Sequence, residues 1–294
     1  MGAPPGQGSR RTLPQVLEPA GARGARSGDQ DYGREDMENT RIRLLARADD
    51  AGSCHTANQA ITECVEAGLT LNVGVMACCP FADEAAAMLA GRKDVCVGLH
   101  ATINAEWDAV KWGPVLPPER VPTLVDANGH FHRTPNVAHE GGVNADEVLA
   151  EIEAQLARLR AAGLTVAYLD EHMGFGWLPG VRERLDALMQ REGLRHGGRG
   201  CDPLPRSPWK YEDRADDLIA RLEAAGEGTY LIVAHPGHDT EEMRRLGHEG
   251  LAPGQVARER EGDTQMLTSH KVLEYCGHHG VMPVRFTDVR PPCR

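Results

Sequence analysis

Ile42-Arg43-Leu44-Leu45-Ala46-Arg47-Ala48-Asp49-Asp50-Ala51-Gly52 is the stretch that decides the fold. A short apolar run ends in two adjacent carboxylates and a glycine, as a buried strand does when polar residues collect at its C-terminal end. Working outward, strands are predicted at Ile42–Ala48, Leu71–Met76, Cys96–Leu99, Val166–Leu169, Tyr230–Ala234 and Val281–Phe286. Helices are predicted between them at Ala57–Ala67, Ala82–Ala90, Ala145–Ala162, Val181–Glu192, Ala215–Ala225 and Thr264–His279. Strands alternating with helices imply βα units around a parallel sheet, an α/β architecture. Ala67–Thr70 and Ala162–Thr165 both read Ala-Gly-Leu-Thr, where Gly serves as a left-handed helix cap and the next strand begins at once. The stretch Ala101–Gly142 breaks the rhythm, and a loop that long within a compact domain is usually functional.

Before this stretch, Met1–Asp36 is rich in Gly, Pro, Arg and Ser and has no hydrophobic period. Residues 1–40 are therefore expected to form a disordered extension, with Met37 a candidate start, and residues 41–294 the folded domain. The 294 residues are 41% hydrophobic and 26% charged, enough apolar side chain for a core and too much for an intrinsically disordered chain. No apolar run approaches the roughly 18 residues that span a bilayer, and no N-terminal segment reads as a signal peptide, so neither membrane insertion nor export is expected. A net charge of −11 argues against a nucleic-acid partner, which needs a basic footprint. The eight cysteines form no C-x-x-C pair and are expected to be reduced thiols in a cytoplasmic protein.

Four strands end in ionisable residues: Asp49-Asp50, His100, Asp170-Glu171-His172 and His235. C-terminal ends of parallel strands converge on one face, so these residues, distant in sequence, should meet. Singly each has an ordinary explanation, a helix N-terminus for the aspartates or a turn for His235. Together they predict a metal site of one carboxylate and two imidazoles, open to water and substrate. Adjacent aspartates suit a division into ligand and general base. Asp170 is the expected acceptor fixing an imidazole tautomer, and His235 the general acid.

These motifs resemble the YdjC-like carbohydrate deacetylase family. The resemblance rests on Ala48–Gly52, Gly98-Leu99-His100, Leu169–His172 and His235-Pro236-Gly237. It extends to Val121–Phe131 and to Leu267-Thr268-Ser269 leading to Phe286-Thr287-Asp288, and covers about Ile42 to Val289. It implies a (β/α) barrel of the glycoside hydrolase and deacetylase type, and a divalent metal that removes an acetyl group from an N-acetylated sugar. It also implies Asp50, His100 and His172 as ligands, Asp49 as base, His235 as acid and a homodimer. Mixed ligands lean to Zn²⁺ and the resemblance to Mg²⁺. Ala51, Ala101 and Gly174 depart from the family pattern of Phe, Leu and His, and lost bulk at Ala51, Gly174 and Gly176 should reshape the pocket, so the class of substrate is carried over and diacetylchitobiose itself is not.

Trp107, Trp112 and Trp177 are the candidate platform for a sugar ring. Arg258-Glu259-Arg260-Glu261 reads as a solvated charged face, and His130, His132 and His139 as loop residues. Three alternatives stay open. A metal-dependent phosphoesterase would want basic residues, yet the strand tips offer only Arg47. A glycosidase would use two separated carboxylates. A sugar-binding barrel without turnover would have no use for a second aspartate.

Overall fold

The computed structural model describes residues 41–207 and 209–289; residues 1–40, expected as a disordered extension, and Cys293 lie outside them. In chain order the elements are β1 (Ile42–Ala51), α1 (His55–Glu66), β2 (Asn72–Val75), α2 (Ala82–Leu89) and β3 (Cys96–Ala101). Next come α3 (Pro135–Glu140), α4 (Ala145–Ala161), β4 (Val166–Glu171), α5 (Val181–Glu192), β5 (Arg195–His196) and β6 (Asp202–Pro203). The chain continues through α6 (Arg214–Ala224), β7 (Gly228–Ala234), α7 (Gln255–Leu267), α8 (His270–His278) and β8 (Val281–Pro283). The strands form one sheet of order β5-β4-β3-β2-β1-β7-β6, with every pairing parallel. β8 pairs with Ile42–Leu44 at the start of β1, and β2 with its far end. Asn72 joins them, donating to the Ala46 and Val284 carbonyls and accepting from the Phe286 N–H.

The sheet curls. Laid flat, six interstrand spacings would separate β5 from β6 by about 29 Å. Only Gly197–Cys201 links these two edges, and six residue steps reach at most about 22 Å. The α/β expectation is met by a parallel half-barrel, and no pairing joins β5 to β6 among the described residues. Side chains alternate across β1 accordingly. Ile42, Leu44 and Ala46 pack outward with α6 and α8, while Leu45 points inward to Cys96, Tyr168, Val284 and Phe286. Tyr168 lies over Gly98, where a Cβ would overlap its ring. This apolar layer floors the barrel and leaves the C-terminal strand ends for polar groups.

Four elements differ from the sequence-based expectation. β5 and β6, two residues each, carry no apolar run and were not anticipated. α3 lies within the long Ala101–Gly142 stretch, with Thr134 accepting from the Val137 N–H as its cap. The helix expected at Thr264–His279 is the end of one helix that already begins at Gln255 and the whole of a second, parted because Ser269 is extended and the Thr268 hydroxyl bonds back to the Thr264 carbonyl. The seven cysteines among the described residues are free. No helix among them is long and apolar enough to cross a membrane.

Candidate active site

Strand alternation carries Arg47 and Asp49 inward above Leu45 and should turn Asp50 outward. It does not, because the β1–β2 register slips between Ala48 and Ala51 and Asp50 takes a left-handed backbone with φ of 66°. A bulge of this kind re-aims a side chain, and here it brings both aspartates to one site. Strain held in a non-glycine residue is a mark of functional positions.

Asp50 Oδ1 lies 3.4 Å from His100 Nε2 and 3.5 Å from His172 Nδ1, and the two nitrogens are 3.2 Å apart. Asp50 Oδ1 is buried and has no hydrogen-bond partner. The opposite nitrogen of each imidazole meets a carboxylate: His100 Nδ1 donates to Asp170 Oδ2 at 2.6 Å and His172 Nε2 to Glu106 Oε2 at 3.0 Å. Those bonds fix the tautomers and turn both remaining lone pairs toward Asp50. Three buried acceptors facing one another repel unless a positive charge lies among them. Ligands about 2.1 Å from one ion at tetrahedral angles are roughly 3.4 Å apart, so the spacing and the donor set both fit a cation. These three residues are one of two groups among the described residues whose donor atoms all lie within 4.8 Å.

The second group, Asp49, His100 and Asp170, has its cation already. Arg47 Nη2 lies 2.7 Å from Asp49 Oδ2 and 3.1 Å from Asp170 Oδ2, and Arg47 also donates to the Gly197 carbonyl. Asp49 Oδ1 is left buried and unpartnered. Gly74 makes room for it, since a Cβ there would come within 2.7 Å.

Charge separates the carboxylates. Burial pushes Asp49 up, and the Asp170 charge adds to this against the pull of Arg47. Burial would also raise Asp50, but Arg260 and the two imidazoles hold it well below the usual carboxylate range. Asp170 is likewise lowered against burial by His100 and Arg47. Burial would lower His172, but Glu106 and Asp50 raise it to about 9, and the same opposition raises His100 through Asp170 and Asp49. The pocket therefore favours positive charge on the imidazole pair.

Of the other predicted residues, His235 follows β7, its N–H bonded to Asp263 Oδ2 at 2.9 Å, and its charge bears on both Asp49 and Asp50. Trp112 is buried edge-on to His172, and Trp107 is buried and stacked on His248. Trp177 is 52% exposed, its ring braced edge-on by His139. Two residues were missed. Glu106, a lone carboxylate in the otherwise uncharged run from Ala101 to Trp107, was the available signal for a buried partner. Arg260 corrects the expectation of a solvated face: it is 6% exposed and its Nη2 donates to Asp50 Oδ2 at 2.5 Å. It shares a helix face with Val256, Ala257, Thr264 and Leu267, so its position in an apolar stripe was the signal.

A carbohydrate deacetylase from Thermoanaerobacter pseudethanolicus is 24% identical over 258 residues, covering 83% of this chain and 98% of its own. One from Danio rerio is 31% identical over 180 residues, 58% of this chain and 55% of its own. A solved structure from Enterococcus faecalis V583, of a protein assigned to cellobiose-phosphate cleavage, superposes with a TM-score of 0.71 at 20% identity, covering 85% of this chain and 99% of its own. At that identity the likeness speaks to the fold, with which the curled parallel sheet agrees. The family model for YdjC-like proteins matches residues 43–278, every strand-end motif included, and the chain belongs to that family.

Proposed function

We propose that this chain is a metal-dependent hydrolase that removes the acetyl group from an N-acetylated sugar. One observation carries the proposal: the triangle of Asp50 Oδ1, His100 Nε2 and His172 Nδ1, each imidazole backed by its own carboxylate, beside the buried Asp49. Relatives named carbohydrate deacetylase supply the class of substrate. Asp50, His100 and His172 hold the divalent cation. When bound, it supplies Lewis acidity, which acidifies water and polarises an acetamide carbonyl.

Asp49 then acts as general base. Its raised pKa keeps it basic enough to take a proton from the attacking water, and Arg47 holds its other oxygen in place. Asp170 fixes the His100 tautomer. His235 gives a proton to the departing nitrogen as the C–N bond breaks, leaving acetate and a free amine. Trp177, with its ring in solvent on the loop after His172, offers a stacking face to the sugar.

A phosphoesterase finds less support. Arg47 and Arg260 both enter the site, but the charge of each is already paired with an aspartate. The test is acetate release from a panel of N-acetylated sugars, with and without a chelator. Release that stops with the chelator and resumes with added divalent metal supports the proposal. Release that ignores the chelator, or none from any sugar in metal-replete protein, contradicts it.

A further inference from the structure

α7 turns Arg260, Asp263 and Thr264 to one side, the spacing of three and four residues that puts helix positions over one another. Each makes a contact at the strand ends. Arg260 Nη2 donates to Asp50 Oδ2 at 2.5 Å, Asp263 Oδ2 accepts from the His235 N–H at 2.9 Å, and Thr264 Oγ1 accepts from the Gly237 N–H at 3.0 Å. One helix thus fixes the end of β1 relative to the segment that follows β7.

The contact to Asp50 is selective. Arg260 takes Oδ2, whereas Oδ1 has no hydrogen bond and faces the two imidazoles. A carboxylate with both oxygens free can ligate through two atoms and so fill a coordination position needed by water or substrate. The guanidinium is buried and cannot lose its proton, so it stays a charged donor to Oδ2 at any working pH. Resting on the metal site argued above, we propose that Arg260 is a positioning residue that restricts Asp50 to one-oxygen ligation and so keeps the cation's coordination open.

Cobalt(II) tests this, because its visible absorption reports coordination number independently of turnover. Wild-type protein and Arg260→Gln are loaded with cobalt, the bound metal is counted by equilibrium dialysis, and spectra and acetate release are recorded on the same samples. Arg260→Gln should bind cobalt at least as tightly as wild type, since a neighbouring positive charge is gone. Its visible bands should weaken and shift as Asp50 adds its second oxygen, and turnover should fall at least tenfold. Arg260→Met fills the same space without charge and serves if Arg260→Gln does not fold. A wild-type spectrum in the folded variant overturns the proposal, as does cobalt affinity weakened more than tenfold, which would make Arg260 a general support of the pocket. Wild-type protein that binds no cobalt removes the metal site itself, and the inference with it.

Discussion

Glu106 stands behind one of the two imidazoles, and its loss should be felt at the metal. Its Oε2 accepts from His172 Nε2 at 3.0 Å, both groups are buried, and the bond leaves His172 Nδ1 as a lone-pair donor facing Asp50. A buried hydrogen bond to a charged group contributes about 1.5–3 kcal/mol. If Glu106→Ala removes it, His172 is free to turn or to take the other tautomer, and cation affinity should fall about 10- to 100-fold, as for other partners behind metal-ligating histidines. Glu106→Gln keeps an acceptor for the same N–H and gives up only the charge. The difference between charged and neutral hydrogen bonds, about 1 kcal/mol, predicts a loss of roughly fivefold. Competition against a chromophoric chelator measures both. Wild-type affinity in Glu106→Ala would refute the role of this bond, and equal losses in the two variants would refute the tautomer explanation.

Asp49→Asn should abolish acetate release while leaving metal content at the wild-type level by elemental analysis; unchanged kcat would remove Asp49 from the base role. Gly74→Ala places a Cβ within 2.7 Å of Asp49 Oδ1 and 3.3 Å of His100 Cβ, so kcat should drop with cation affinity changed far less. In metal-free protein His172 is raised from 6.5 to about 9, so its contribution to stability is complete below about pH 6.5 and lost as pH rises through about 9. That shift corresponds to about 3 kcal/mol, and urea unfolding in chelator at the two pH values should show a loss that His172→Asn lacks. Trp177→Ala should raise KM several-fold with little change in kcat if the ring stacks on sugar; equal KM values would take it out of the binding surface.

The strand ends were legible because ionisable residues followed apolar runs at Asp49, His100, Asp170 and His235, and parallel topology then required them to meet. Val181–Glu192 was legible to the residue because Gly180 and Gly193, both left-handed, bracket it. What escaped notice depends on contacts made by the folded chain. Alternation alone sends Asp49 and Asp50 to opposite faces, and only the bulge at Asp50, φ 66°, reconciles them. Arg260 looked solvated because charged neighbours surround it in sequence, yet helical spacing carries it alone to the buried side. β5 and β6 are too short to leave a hydrophobic pattern, and their place in the sheet comes from backbone pairing with β4 and β7.

Anomalous X-ray scattering from crystals soaked in zinc or cobalt locates the cation directly. A single peak about 2.0–2.2 Å from Asp50 Oδ1, His100 Nε2 and His172 Nδ1 is the predicted result. A peak beside Asp49 and Asp170 in place of Arg47, or none near the two imidazoles, would contradict the account.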